Sequence, residues 1–228
     1  SVPTRVPDPH EAAYQVICAT LFGSDGKKEI LLLKREGVRE GVEKLPSDAS
    51  VEYCDSEEKL ILKVFEALWD YPFVLTFNGD DFDLRYLYHR ALNHLGLKRS
   101  QIPIDLGRRV CLLKYGIHID LYKFFFNRSI QIYAFSQKYR DITLNEVGKA
   151  LVGLAKVELA RPLSELTYTE LARYNFRDAE ITLALTTFDD ELVMKLLLAI
   201  TRIARMPMDD VSRQGVSRWI RNFLHHEH

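Results

Sequence analysis

The sequence predicts an α/β protein in which a mixed β-sheet is flanked by helices. Three observations predict it. Two apolar runs, Tyr14–Phe22 and Glu29–Lys34, meet across Gly23-Ser24-Asp25-Gly26 and read as an antiparallel hairpin. Phe73–Phe77 is a short apolar run with no polar face, as in a strand covered on both sides. Elsewhere apolar residues recur at helical spacing. Strands come first, then strand–helix units, then helices, which is the order of an α/β chain with a mixed sheet.

Pro3, Pro7 and Pro9 make residues 1–10 an extended coil, because each proline deletes a ladder donor. After the hairpin, Leu60, Ile61, Val64, Phe65 and Leu68 mark a helix over Glu57–Trp69. The strand Phe73–Phe77 is broken by Asn78-Gly79. Leu84, Leu87, Tyr88, Ala91, Leu92 and Leu95 form one stripe of a helix over Leu84–Leu95, closed by Gly96. Gly116–Tyr122 is a further strand. Helices follow over Thr143–Leu151, Thr167–Phe188 and Leu192–Ile203; Pro207 interrupts, and Ser212–Leu224 is a final amphipathic stretch.

The 228 residues are 47% hydrophobic and 28% charged, which excludes wholesale disorder. A net charge of −1 excludes a chain that holds nucleic acid by bulk charge alone. Charge is nevertheless uneven: Lys98–Arg140 carries nine basic residues against Asp105 and Asp120. Tyr115, Tyr122, Phe124, Phe125, Phe126, Tyr133, Phe135 and Tyr139 interleave them. This composition suits either single-stranded nucleic acid or a solvated region with core aromatics. Cys18, Cys54 and Cys111 have no CxxC spacing, so neither a zinc knuckle nor a disulfide framework is indicated, and a reducing, cytoplasmic location is expected. No apolar run reaches the ~18 residues of a spanning helix, and no basic-then-apolar leader is seen. A chain that starts at Ser1 reads as a processed protein or a fragment.

Two places combine chemistry with position. In Phe73-Val-Leu-Thr-Phe-Asn78-Gly-Asp-Asp-Phe82-Asp83 a strand ends, a tight turn follows, and Asp83 stands before a helix, where α/β sheets collect ligands. Asp80, Asp81 and Asp83 crowd that loop; the structural alternative is that Asp83 caps the helix. Further on, Leu171, Tyr174, Asp178, Ile181 and Leu185 share one helix face. Asp178 therefore sits in an apolar stripe and needs a cation, a donor network or a raised pKa. A salt bridge to Arg173 or Arg177 is the alternative, although these project to other faces. A strand-end Asp and a helix Asp facing one core could share divalent ions, and hard oxygen ligands favour Mg²⁺ or Mn²⁺. Two such ions activate water on a phosphodiester. His118-Ile-Asp120-Leu-Tyr122 reads as a structural hydrogen-bonding set more than as an acid–base pair. The terminal His225-His226-Glu227-His228 is not taken as a metal site. No nucleophile elbow and no Walker loop is present.

Phe77-Asn78-Gly79-Asp80-Asp81-Phe82-Asp83 resembles the second exonuclease motif of family B DNA polymerases, above all the archaeal replicative ones. Tyr174-Asn-Phe-Arg-Asp178 resembles their third motif, and His118-Ile-Asp-Leu-Tyr122 a strand between the two. The resemblance runs from about Pro7 to His228. It implies an RNase H-like fold of the DEDDy class that removes mismatched 3′ ends of single-stranded DNA with two divalent metals, Mg²⁺ or Mn²⁺, held by four carboxylates. Asp83 and Asp178 would be ligands, and Tyr174 would orient the attacking water. Asn78 and Phe82 would lie near the terminal nucleotides. The implied partners are DNA, the polymerase palm of the same parent chain and, for the full-length protein, a sliding clamp. Residues 1–190 would be the exonuclease domain and 191–228 a helical connector toward the palm.

One departure counts against a complete site. The family's first motif, an Asp-x-Glu on the central first strand, would lie upstream of a segment like Val6-Pro-Asp-Pro-His, and Asp8 and Glu11 have the wrong spacing to replace it. Two of the four carboxylates and the central strand are therefore expected to be absent, leaving an open seam between Tyr14–Phe22 and Phe73–Phe77. Little or no nuclease activity is expected of the chain alone. A non-catalytic nucleic-acid-binding module and a stand-alone RNase H-like ribonuclease are the other readings; the connector argues against the latter.

Overall fold

A computed structural model describes residues 7–41, 44–159 and 161–225. The predicted hairpin is present as β1 (Cys18–Phe22) and β2 (Lys28–Leu33), paired antiparallel. A strand absent from the sequence reading, β3 (Ser50–Cys54), pairs parallel to β2 on its other side. β2 is thus the centre of a three-stranded sheet, and its alternation shows the two layers. Leu31 and Leu33 point toward α1 (Glu57–Asp70), while Ile30 and Leu32 face the layer opposite. α1 offers the predicted stripe of Leu60, Ile61, Val64, Phe65 and Leu68, all buried, and is started by Ser56, whose hydroxyl accepts the Lys59 N–H. Each such side chain contributes roughly 1.5–3 kcal/mol on burial.

β4 (Phe73–Thr76) leads through the Asn78–Phe82 loop into α2 (Asp83–Asn93). Two three-residue strands, β5 (Ile104–Leu106) and β6 (Cys111–Leu113), form an antiparallel pair. β7 (Ile117–Asp120) pairs parallel to β4. The expected strand Gly116–Tyr122 ends at Asp120, because the Asp120 carboxylate accepts the Tyr122 N–H and starts α3 (Leu121–Phe126). A single π-turn follows at Ile130–Ala134, then α4 (Leu144–Val152), capped by Thr143 and ended by left-handed Gly153.

α5 (Tyr168–Ala204) opens with a Thr167/Glu170 capping box and is interrupted at residues 188–191, where φ/ψ leave the helix. The expected boundary between the helices Thr167–Phe188 and Leu192–Ile203 falls on that kink. The amphipathic stretch Ser212–Leu224 is two helices, α6 (Met208–Arg213) and α7 (Val216–His225), because the chain leaves the helix at Gln214-Gly215. Residues beyond the kink share one core with the sheet: Val193, Leu197, Met206, Met208 and Val211 cluster with Ile119, Phe124, Phe125, Ile181 and Leu185.

The architecture is a mixed α/β arrangement of small sheets flanked by helices, consistent with an RNase H-like fold. Among the described residues, β1 is hydrogen-bonded to β2 alone and β4 to β7 alone, and α5 packs against both. Two open strand edges therefore lie under one helix. This corrects one expectation. Phe73–Phe77 is not covered on both faces: Phe73 is 44% exposed and Val74–Thr76 are half-buried, because β4 is an edge strand. Among the described residues no helix is long and apolar enough to cross a membrane.

Candidate functional site

The loop between β4 and α2 is built on backbone donors. Asn78 takes the left-handed conformation that an Asn-Gly turn favours, with φ 77°. A Cβ on Gly79 would lie 2.3 Å from Thr76 Oγ1 and under 3 Å from two further Thr76 atoms. Gly79→Ala is therefore expected to destabilise the chain by about 1–3 kcal/mol in chemical denaturation. Buried Asp120 accepts the N–H groups of Asn78 (2.8 Å), Asp80 (3.1 Å) and Tyr122 (3.0 Å). His118 is fully buried, with Nδ1 2.7 Å from the Cys111 carbonyl and Nε2 2.8 Å from Thr76 Oγ1. Nδ1 also lies 3.0 Å from Arg213 Nη2, a donor. Burial pushes the His118 pKa down to about 4 and keeps the ring neutral at pH 7. His118 and Asp120 are thus scaffold for the loop.

The three loop carboxylates separate. Asp80 turns inward onto Arg213 of α6, and Asp81 pairs with Lys123 at the surface. Among the described residues Asp83 has neither kind of partner and is exposed at the start of α2. It is the first residue of α2 and not its cap; Phe82 holds the cap position and its side chain makes no capping bond, so the capping alternative is not what the structure displays. Phe82 is half-buried, its ring 5.7 Å from that of Tyr86. Solvent reaches Asp83, yet protein surrounds it at longer range. This crowding, then the Asp120 charge and then the Asp178 charge push its pKa up to about 6. Since solvent reaches the group, this describes its protonation and not a folding energy.

Asp178 lies on α5 between buried Leu171 and Ile181, as the spacing predicts. Its partner is neither Arg173 nor Arg177. Lys156 Nζ stands 2.7 Å from Asp178 Oδ2 and 5.0 Å from the centre of the Tyr174 ring. Arg177 pairs instead with Glu180 at 2.8 Å. The other oxygen, Asp178 Oδ1, is buried and has no hydrogen-bond partner. Burial raises the Asp178 pKa despite Lys156. A groove lined by Asn145, Lys149, Lys156, Leu159 and Tyr174 opens beside the pair.

Asp83 thus lies within electrostatic reach of Asp178 and Lys156, Lys156 joins Asp178 to the Tyr174 ring, and Asn78 and Phe82 lie on the loop that ends at Asp83. An orphaned buried carboxylate oxygen and a carboxyl crowded by two others are hard donors that fit a divalent cation. They are two donors: among the described residues no group of three or more His, Cys, Asp or Glu is placed to hold a metal ion. His226–His228 of the terminal His-rich run lie outside the described residues. The basic, aromatic segment divides. Phe124, Phe125, Phe135 and Tyr139 are core, whereas Tyr115, Phe126 and Tyr133 are 62–85% exposed, and Tyr122 stacks on Phe126.

Comparison with known proteins meets this geometry from another side. Residues 3–147 match the model of the DNA polymerase family B exonuclease domain. The chain belongs to that family. It is 47% identical over 225 residues to DNA polymerase 1 of Saccharolobus solfataricus and 46% identical over 224 residues to that of Sulfolobus acidocaldarius, each alignment covering 98% of this chain and 25% of the relative. With DNA polymerase 1 of Aeropyrum pernix the identity is 41% over 227 residues, covering 100% of this chain and 24% of the relative. The chain thus spans about a quarter of the length of these relatives. The family match contains Asn78, Phe82 and Asp83; Tyr174 and Asp178 lie beyond it, within the span shared with the archaeal polymerases. Two residues that bear on this site escaped the sequence reading. Lys156 sits in an irregular segment with no periodicity to place it. Arg213 is 133 residues from Asp80, and the hint was an acidic loop needing a cation.

Proposed function

We propose that the chain is the proofreading 3′–5′ exonuclease domain of a DNA-directed DNA polymerase, acting on the terminal phosphodiester of single-stranded DNA. Residues 191–228 are its connector toward the polymerase palm. The observation that carries the reading is the unpartnered, buried Asp178 Oδ1 within electrostatic reach of Asp83. Asp83 and Asp178 hold divalent metal, Tyr174 orients the attacking water, and Asn78 and Phe82 lie along the terminal nucleotides. Mg²⁺ or Mn²⁺, when bound, supplies an activated water and stabilises the leaving oxygen. Lys156 neutralises Asp178 and packs its ammonium against the Tyr174 ring. For the whole protein the proposed partners are DNA and a sliding clamp, and the proposed location is the cytoplasm.

The test is a Mn²⁺ titration of this chain followed through its side-chain carboxyl carbon resonances. Asp83 and Asp178 should broaden together, ahead of surface carboxylates such as Asp48 and Asp55. Separate broadening, or none, would sink the metal site and leave a non-catalytic binding module. Two carboxylates are half of a four-ligand set, so 3′-labelled single-stranded DNA is expected to survive incubation with the chain and Mg²⁺ or Mn²⁺. Robust cleavage that Asp178→Ala abolishes would refute that inactivity while upholding the site.

A further inference from the structure

The loop that presents Asp83 is anchored twice. From the sheet, Asp120 takes its Asn78 and Asp80 amides. From α6, Arg213 grips the Asp80 side chain as a fork, Nε to Oδ2 at 2.7 Å and Nη2 to Oδ1 at 3.0 Å. The fork is fully satisfied. Asp80 Oδ1 also accepts the Cys111 N–H at 2.7 Å, and Arg213 donates to the carbonyls of Asp209 (2.7 Å) and Cys111 (3.2 Å). The side chains are 5% and 0% exposed. An ion pair buried this deeply is a weak source of stability, since apolar replacements are often as good or better. What a bidentate fork adds is direction. Asp80 is followed by one turn of chain closed by Phe82 N–H to Asn78 O and Leu84 N–H to Gly79 O, so its position is passed on to Asp83. Arg213 lies beyond the kink at residues 188–191, on the segment whose helix α6 packs back onto β7.

We propose that Arg213 is a positioning residue for Asp83: through the Asp80 fork, α6 sets the loop that presents one of the two carboxylates to the metal. The inference rests on the proposed reading of Asp83 and Asp178 as metal ligands. It makes a shift of α6 a means of loosening the nuclease site without touching either ligand.

The test measures Mn²⁺ affinity and the backbone amide shifts of residues 78–83 in the folded fraction of four chains: wild type, Arg213→Lys, Asp80→Glu and Arg90→Lys. Arg213→Lys keeps the charge and loses the fork, and Asp80→Glu displaces it. Each is expected to move the Asp83 amide resonance and weaken Mn²⁺ binding about tenfold, as a loss of preorganisation would. Arg90→Lys breaks the other buried Arg–carboxylate fork, with Glu57, and should leave both readouts unchanged. Mn²⁺ affinity within twofold of wild type in a folded Arg213→Lys or Asp80→Glu chain overturns the proposal. So does loss of folding in both, which would make the pair purely structural. If the wild type itself shows no Mn²⁺ effect at Asp83 and Asp178, the metal site fails; an unmoved Asp83 amide in the variants then overturns the role of Arg213 independently.

Discussion

Asp178→Asn is expected to abolish the joint response of the two carboxylates to Mn²⁺, weakening binding by more than about tenfold, while the chain stays folded. The asparagine carbonyl oxygen still accepts from Lys156, so the local contact survives without the charge. What is lost is one anionic ligand and one of the charges that raise Asp83. The Asp83 pKa should therefore move down from its value of about 6 toward that of an ordinary aspartate, leaving burial and Asp120 as causes. The wild-type pH dependence has a definite sign. Proton and metal compete for the same oxygens, so Mn²⁺ affinity should rise with pH up to about 6 and level off above it. Lys156→Met should act in the opposite direction to Asp178→Asn. It removes the ammonium that stands 2.7 Å from Asp178 Oδ2 and competes with metal, so Mn²⁺ should bind several-fold more tightly. Carboxyl-detected NMR reads all three effects, and tighter Mn²⁺ binding by Asp178→Asn would contradict the account.

Why Asp178 was legible in the sequence and Lys156 was not is a matter of periodicity. A carboxylate spaced with Leu171, Ile181 and Leu185 announces that it sits half-buried against the core, because the same helix face must enter it. Lys156 belongs to a segment with no repeating geometry, so its side chain's direction is set by tertiary contacts alone. The same distinction explains the fold. α1, α4 and the start of α5 were readable from stripes and caps. β5 and β6 have three residues each, too few for alternation to register, and β3 carries Glu52 within five residues. At Asp120 a side chain capping Tyr122 N–H overrode the strand-like pattern that continues into Leu121 and Tyr122. Phe73 is apolar yet exposed because exposure depends on the neighbouring strand, which local sequence does not report. The Asp80–Arg213 fork lies at the extreme of this scale, since nothing local in either segment identifies the other.

Arg90→Ala is expected to be the largest single loss of stability, about 3–5 kcal/mol from the uncompensated Glu57 charge. Arg90 forks onto Glu57, Nε to Oε1 at 2.7 Å and Nη2 to Oε2 at 2.8 Å, and its Nη1 donates to the carbonyls of Ala12 and Ala13 at 3.1 Å. Glu57 also accepts the Val16 N–H at 2.7 Å. The pair therefore ties α1 and α2 to the irregular chain that enters β1, with side chains 9% and 3% exposed. Truncation leaves the carboxylate buried with the Val16 N–H as its remaining partner and unfastens residues 12–16. Urea unfolding should show the loss as a lower midpoint with a nearly unchanged m value. The decisive comparison is the double variant Glu57→Leu/Arg90→Met. Removing both charges leaves no orphan carboxylate, so it should recover most of the loss. If the double variant is as unstable as Arg90→Ala, the fork matters through its backbone bonds to Ala12 and Ala13 and not through charge pairing. In that case the edge strand β1, one of the two open edges under α5, owes its position to a clamp on the chain that precedes it. Faster amide exchange in β1 than in β2 would be its signature.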